Sequence, residues 1–429
     1  MHPTFRSLGD RPPILMTPEA LEGMLTLEDY RNRGSGYEGL QKVLSEMTPA
    51  GITEEVKRSE IRGRGGAGFP AGVKWGFIPK DTGKPVYLVC NADEGEPGTF
   101  KDRWLLRHTP HRLIEGILIA SYATGCNRAF IYMRDEFAME TVRLEACLAE
   151  IRRAGYLGSD ILGSGWNCEI SIFSGAGAYI CGEETALLNS IEGRRGYPRV
   201  RPPFPAIVGL YGSPTIINNV ETLSNLPSIA MNGGRWYSTY GTEESRGTRL
   251  FSISGRVARP GVYEVEMGVP WSALLDDLAG GPSRDKPFKA LYPGGSSTPI
   301  LNAGEVESST LDFESAMKLG TFLGSGGTIV LDSDDDIVDA TLNLATFYRN
   351  ESCGQCTPCR EGCHWMVEIL RRIAAGTGTV EDIDRLLSVT ERIAGNTICA
   401  FGDGAAAPIG SAIEKFRPEF EARIGGAVK

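Results

Sequence analysis

Three closely spaced cysteines, Cys353, Cys356 and Cys359, constrain this chain more than any other feature. Thiolates two residues apart can wrap one compact inorganic centre and occupy three of its corners. The run Cys353-x2-Cys356-x2-Cys359 matches the opening of the bacterial ferredoxin pattern for a [4Fe–4S] centre. Cys363 would extend the run, but His364 stands where that pattern ends in proline, and the sequence holds no second triplet for Cys363 to serve. A single cluster with three neighbouring ligands takes its fourth from afar, so Cys399 is the expected fourth corner and Cys363 a buried thiol on the following helix. Structural zinc is the competing reading, but zinc prefers two separated pairs of ligands. Gly354 and Pro358 keep the loop backbone open, so that amide N–H groups can point at the sulfurs. Cys90, Cys126, Cys147, Cys168 and Cys181 have no ligand spacing and are expected as buried thiols.

Ten cysteines in 429 residues, behind an N-terminus (Met1 to Arg11) with no apolar signal region, indicate thiols and metal ligands in a reducing compartment. No uncharged apolar run approaches the roughly 18 residues that span a bilayer, since Leu113 to Ala120 is interrupted by Glu115 and Gly116. The chain is therefore expected to be soluble. A formal charge of −10 argues against nucleic acid or an anionic membrane as the main partner. Only four histidines occur, so chemistry built on histidine clusters is excluded. His108 and His111 are expected as surface or capping residues.

At about 150 residues per domain the length predicts about three domains, and the sequence texture changes accordingly. Residues 1–60 hold short helical pieces, one around Tyr37 to Met47. Val86 to Cys90, Ala129 to Met133 and Glu169 to Phe173 read as buried strands alternating with helices at His111 to Tyr122 and Glu136 to Ala154. That alternation predicts α/β layering on a largely parallel sheet over residues 61–240. Residues 241–333 read as a small α+β unit, with strands at Arg249 to Val257, Gly261 to Glu266, Leu291 and Thr328 to Leu331 and a helix near Pro270 to Leu278. Residues 334–429 read as a helical bundle with helices at Asp336 to Tyr348, Cys363 to Ala375, Val380 to Ile393 and Ile409 to Ile424. The acidic run Asp332, Asp334, Asp335 and Asp336 caps the first of these.

Four loops carry polar chemistry. Gly63-x-Gly65-x-x-Gly68 satisfies the dinucleotide fingerprint formally, but Thr53 to Ile61 before it reads as helix where a strand is required. Its glycines still let the backbone approach an anion, with Arg62, Arg64 and Lys74 supplying charge and Phe69 and Phe77 offering faces to a base. Asn91-Ala92-Asp93-Glu94-Gly95-Glu96-Pro97-Gly98 follows a buried strand, where α/β folds bind ligands. Its carboxylates repel phosphate but accept hydrogen bonds from ribose hydroxyls, a flavin N–H or a carboxamide. Ser174 to Tyr179 leads to a helix beginning near Cys181-Gly182-Glu183-Glu184, and Asn218-Asn219-Val220-Glu221-Thr222 is the fourth element. Arg194, Arg195, Arg199 and Arg201 form a basic group expected to be solvated or partner-facing.

Together these motifs resemble the flavoprotein subunit of bacterial-type NADH–quinone oxidoreductase, respiratory complex I. The matching residues are Arg62 to Ala71 with Lys74-Trp75, Asn91 to Gly98, Gly175 to Glu184, Asn218 to Thr222, and Glu351 to Gly362 with Cys399. The resemblance implies a Rossmann-like FMN domain (61–240), a β-grasp domain of the soluble-ligand-binding type (241–333) and a C-terminal four-helix bundle (334–429) holding a [4Fe–4S] cluster, behind an N-terminal helical segment (1–60). It implies FMN held by Gly63, Arg64, Gly65, Gly66, Gly68, Lys74, Asn91, Asp93, Glu94, Gly182, Glu183, Asn218, Asn219 and Thr222. It implies NAD(H) held by Phe69, Phe77 and Phe204 on the adenine, with Glu96, Tyr179 and Glu184 orienting ribose and nicotinamide. The expected activity is oxidation of NADH by hydride transfer to FMN, with electrons passed singly to the cluster and on toward quinone. The implied partners are a [2Fe–2S] thioredoxin-like subunit and a larger iron–sulfur subunit, with no nucleic acid. The expected location is the cytoplasmic face of the plasma membrane, reached through those partners. The same module resembles diaphorase subunits of NAD-linked hydrogenases and formate dehydrogenases, and an iron–sulfur or zinc scaffold without catalysis is the reading from another class.

Overall fold

The computed structural model describes residues 4–80 and 82–424. The outer ends of the first and last sequence-predicted domains, with His2, lie outside them. Among the described residues ten strands form two sheets. In chain order they are β1 (Phe5–Arg6), β2 (Tyr87–Ala92), β3 (Arg128–Met133), β4 (Glu169–Ser174), β5 (Thr215–Asn219), β6 (Thr248–Gly255), β7 (Gly261–Glu266), β8 (Phe288–Tyr292), β9 (Leu301–Asn302) and β10 (Gly327–Asp332).

The first sheet has the order β4-β3-β2-β5 and is parallel throughout. From β2 the chain steps outward to β3 and β4, then returns to the other side of β2 as β5, where Cys90 pairs with Asn218. The order in which the strands are laid down therefore reverses between β2 and β5, and such a switch opens a crevice at the carboxyl ends of the strands. The second sheet is mixed, in the order β1-β7-β6-β10-β8-β9. Its edge strand β1 lies inside the segment read from sequence as helical, because Phe5–Arg6 runs parallel to β7. The buried Glu264 carboxylate on β7 then accepts the backbone N–H groups of Ile14, Leu15 and Met16. This N-terminal stretch thus binds to the second sheet, while helices Glu38–Glu46 and Pro49–Arg58 bury Leu40, Val43, Ile52 and Val56 in the core beside the first sheet.

Helix Pro110–Thr124 passes through that core with almost every side chain buried, so it shows no polar face. His111 is correspondingly not a surface residue: it is fully buried, its Nδ1 3.0 Å from the Tyr37 hydroxyl, and burial lowers its pKa to about 4. Four further helices, Ile337–Glu351, Thr357–Ala374, Val380–Ile393 and Phe401–Arg423, pack on a separate core that contains Cys359, Cys363 and Cys399. The last begins at Phe401 and not near Ile409, because Gly402, Gly404 and Pro408 conceal its apolar period. Asp336 caps the first of the four through Asp339 N–H, as the acidic run implied. Among the described residues no helix is long and apolar enough to cross a membrane.

Helix Pro110–Thr124 crosses helix Val220–Ser224 so closely that a Cβ on Gly116 would lie 2.0 Å from the Leu223 carbonyl oxygen. Gly116→Ala is expected to destabilise the chain by about 1–3 kcal/mol through overpacking, read as a lower thermal unfolding midpoint.

Candidate functional site

The crevice at the β2–β5 switch opens into a cavity of about 770 Å³, within the range of cofactor sites. Loop 62–69, the loop after β2, the turn Tyr179–Gly182 and the residues after β5 form its walls, and the second sheet and Phe401 complete them. Every residue expected at the flavin lines this cavity, as do Phe69, Glu96, Tyr179 and Glu184. Phe77 and Phe204 do not line it and lie half exposed. The Phe77 ring stands 5.9 Å from that of Phe69, and Phe204 lies under the Arg201 guanidinium, which pairs with Glu184 at 2.9 Å.

The loop backbone packs closely on its neighbours around the cavity. Gly65 carries no Cβ where one would lie 3.1 Å from Asn219, and Gly68 has φ +65 with Phe313 2.9 Å from where its Cβ would be. The Asp93 carboxylate oxygen Oδ2 is buried and has no hydrogen-bond partner among the described residues. An acceptor left open on the wall of a roomy cavity fits a ring N–H or a ribose hydroxyl. These features suit a flavin nucleotide.

Several residues expected to touch ligand are engaged elsewhere. The Glu94 carboxylate, its pKa raised by burial, accepts the N–H groups of Asp102 and Arg103 and so caps helix Lys101–His108. Glu183 caps helix Glu184–Ile191 through Thr185 and Ala186 N–H. Asn91 shapes its own loop, donating to Gly182 O at 2.9 Å and accepting from Asp93 N–H. The cations read as phosphate partners are also occupied. Arg64 is fully buried and donates to the carbonyls of Arg246 and Thr248, which turns one arm of its guanidinium into the protein. Arg62 pairs with Glu314 at 2.9 Å over the Phe313 ring, and Lys74 bonds Ile217 O and Glu184. Arg201, read as part of a solvated patch, instead belongs to the rim through Glu184.

Sequence reasoning missed Lys101 and Asp102, which line the cavity. Lys101 is fully buried, 2.8 Å from both Asp102 and Glu221, and Asp102 accepts from Asn219 Nδ2 at 2.6 Å. A Lys-Asp pair in a mixed loop looks like surface charge, and only burial reveals it. Glu96, its pKa raised by burial, accepts Tyr179 O–H at 2.5 Å and Ser297 N–H at 2.7 Å.

The cysteines meet beside this cavity. Cys353 and Cys356 are half-buried and Cys359 buried; Cys399 lies within electrostatic reach of Cys353 and Cys359. Cys363 is buried and donates to the Cys359 sulfur, which holds the Cys359 thiol below its ordinary range, whereas burial pushes Cys399 up to about 12. Among the described residues no three His, Cys, Asp or Glu side chains converge closely enough for a single metal ion, a geometry a mononuclear zinc site needs. A larger inorganic centre suits four thiols gathered in this way. Ala400 and Phe401 line the cavity directly after Cys399, so the two sites share a wall.

Comparison with known proteins agrees with this geometry. Residues 56–228 match the Nuo51 FMN-binding domain, and residues 339–423 match the NADH-ubiquinone oxidoreductase-F iron-sulfur binding region. The chain is 49% identical over 413 residues to the NADH-quinone oxidoreductase F subunit (number 2) of Rhizobium meliloti, covering 96% of this chain and 97% of that relative. The chain belongs to the family of NADH-quinone oxidoreductase F subunits. The F subunit of Streptomyces coelicolor is 50% identical over 401 residues, covering 94% of this chain and 88% of that relative. Among solved structures, an NAD+-reducing [NiFe]-hydrogenase in the H2-reduced state superposes with a TM-score of 0.84 at 37% identity, covering 93% of this chain but 66% of that chain. As a member of this family, the chain carries FMN and a [4Fe–4S] cluster.

Burial pushes the Asp93 carboxyl up to about 7, against about 3.9 for an unfolded aspartate. Between these values the folded chain keeps a proton that the unfolded chain has released, so this group's contribution to stability declines as pH rises from about 4 to about 7. Asp93→Asn abolishes that decline. The thermal midpoint of the flavin-free Asp93→Asn variant is expected to gain on the flavin-free native chain between about pH 4 and pH 7, and a constant difference contradicts the assignment.

Proposed function

We propose that this chain is the NADH-oxidising subunit of a quinone-reducing respiratory complex. The observation that carries the reading is the shared wall: Cys399 is followed directly by Ala400 and Phe401, which line the cavity. Two cofactors in contact through one segment suit a converter of electron pairs into single electrons. The chemistry that FMN supplies when bound is acceptance of a hydride and one-electron release, and that of the cluster is single-electron carriage.

The residues of the chain bind and orient. Asp93, with its open carboxylate oxygen, and Asn218, Asn219 and Thr222 at the β2–β5 switch would hold the flavin nucleotide. Glu96, fixed by Tyr179 and Ser297, faces the nicotinamide, and the Tyr179 ring shields it from water. Glu184, held between Lys74 at 3.2 Å and Arg201 at 2.9 Å, accepts from ribose hydroxyls. Phe69 stacks on the adenine, with Phe77 and Phe204 closing over it from the rim. Hydride transfer requires the reacting atoms about 3–3.5 Å apart, and these are the residues that would position nicotinamide and flavin for it.

The domain layout is a Rossmann-like unit around the first sheet, a β-grasp unit around the second and a four-helix bundle that supplies Cys353, Cys356, Cys359 and Cys399 to the cluster. A [2Fe–2S] thioredoxin-like subunit and a larger iron–sulfur subunit take the electrons onward, and they hold the chain at the cytoplasmic face of the membrane. The 49% identity to the Rhizobium meliloti F subunit, against 37% to the hydrogenase chain, favours this over a hydrogenase diaphorase.

Glu96→Gln is expected to raise KM for NADH about tenfold, the worth of one hydrogen bond to a charged group, with flavin content retained; loss of flavin reverses the division of labour in that loop. Cys399→Ala is expected to abolish the spin signal of the reduced cluster while Cys363→Ala retains it, and the opposite result exchanges the fourth ligand. A purified complex whose yellow-brown colour is not bleached by NADH overturns the function.

A further inference from the structure

Few side chains join the cavity to the cysteine quartet, and one of them has no part in the function above. Glu351 ends helix Ile337–Glu351 and is followed by Ser352 and Cys353. Its Oε2 accepts the backbone N–H of Tyr179 at 3.1 Å. Tyr179 opens the short turn Tyr179–Gly182, whose last residue lines the cavity. The Tyr179 ring also packs edge-on against Phe347 at 5.2 Å and Tyr348 at 6.2 Å, on the helix that Glu351 ends.

On the other side, Glu351 stands two residues before Cys353, so their Cα atoms lie within about 7 Å of each other. The neighbouring Ser352 hydroxyl lies 3.2 Å from the Cys359 sulfur. The charge of Glu351 is also felt by Asp93, in the loop after β2, and by Arg134, which follows β3. A second carboxylate, Glu183, is felt by Cys399, but one of its oxygens already accepts from three donors of the helix it caps. Glu351 is thus the half-buried carboxylate that touches the flavin-side turn while adjoining the cysteine loop in sequence.

We infer that Glu351 is a positioning residue that ties the cavity turn to the cysteine loop and keeps a negative charge beside the cluster, lowering its reduction potential. The inference rests on the proposed cluster ligands. An electron added to the cluster would be repelled by a carboxylate on the residues adjoining its ligands, and in partly desolvated protein Coulomb repulsion is less screened than in water. The hydrogen bond to Tyr179 acts on geometry instead. It sets where the turn, and with it the Tyr179–Glu96 pair, stands relative to the cluster.

Two variants in the cofactor-loaded complex separate these effects. Glu351→Gln keeps length and an acceptor oxygen but removes the charge; Glu351→Asp keeps the charge but withdraws it from Tyr179 N–H by one methylene. Redox titration of the cluster's spin signal is expected to give a midpoint above the native one for E351Q, with native iron and flavin content, and a midpoint nearer the native one for E351D. E351D is expected to raise KM for NADH by up to about tenfold, the upper bound if the whole worth of the weakened hydrogen bond is transmitted through the turn, and to slow cluster reduction in rapid mixing. A native midpoint in E351Q overturns the electrostatic role, and native KM and reduction rate in E351D overturn the anchoring role. Should E351Q not load the cluster, the midpoint of Glu351→Ala, which also removes the charge, decides the electrostatic role, and the E351D kinetics decide the anchoring role. A native complex lacking iron or flavin sinks the proposed function itself, before any variant is compared.

Discussion

The loops around the cavity hang on one desolvated ammonium. Lys101 exposes no surface and stands 2.8 Å from both Asp102 and Glu221. The other Asp102 oxygen takes Asn219 Nδ2, and the other Glu221 oxygen takes Leu250 N–H at 2.9 Å on β6. One ion triad therefore fastens the segment after β2, the turn after β5 and the second sheet. Removing one partner from such a pair costs about 3–5 kcal/mol, because the remaining charge is left buried. Against a well-packed apolar replacement the triad adds little stability, and its effect is to fix geometry. Glu94 extends it by capping the helix that Lys101 begins.

Neither sheet makes the site alone. Loops of the first sheet supply its floor, and the connections between strands of the second sheet supply Ser297, Phe313 and Ser325. The helices close the remaining side through Phe401. The contact between the sheets is tight at glycines: a Cβ on Gly295 would lie 2.4 Å from the Glu96 side chain, and one on Gly98 would lie 2.7 Å from Ile329. Backbone packed this closely excludes water from Glu96 and raises its pKa. A hydrogen-bonded chain, Tyr179 to Glu96 to Ser296 to Tyr348, then runs from the cavity into the helical part. Electron transfer between two cofactors needs such a dry, rigid partition, and three layers meet to build it.

Much of the fold was legible because apolar runs with β-branched residues are hard to place except in buried strands. Val86 to Cys90 and Ala129 to Met133 read correctly to within two residues, and so did helix Val380–Ile393, with its regular apolar period and Thr379 cap. The strand β5 was not legible. It has two apolar residues, Ile216 and Ile217, and ends in Asn218–Asn219, so its pattern looks like a polar turn. The edge strand β1 is two residues long and exists only because β7 offers it a partner. At the site, loop glycines and carboxylates marked the right segments, but function within a segment was divided by burial. Asp93 faces the cavity while its neighbour Glu94 caps a helix. Arg64, read as charge for a bound anion, and His111, read as a surface or capping residue, are buried with hydrogen-bond partners inside the protein.

By itself the sequence determined which atoms are available: cysteines spaced for a cluster, glycines where backbone must approach a ligand, and carboxylates at the ends of strands. Those are local properties, set by residue chemistry and separation along the chain. Tertiary structure decided which of them meet. Cys399 reaches Cys353 and Cys359 because helices Phe401–Arg423 and Thr357–Ala374 share a core. Glu351 reaches Tyr179 because the helical layer packs against the first sheet. Long-range contacts of this kind follow from packing complementarity between distant surfaces, which no local pattern of residues encodes.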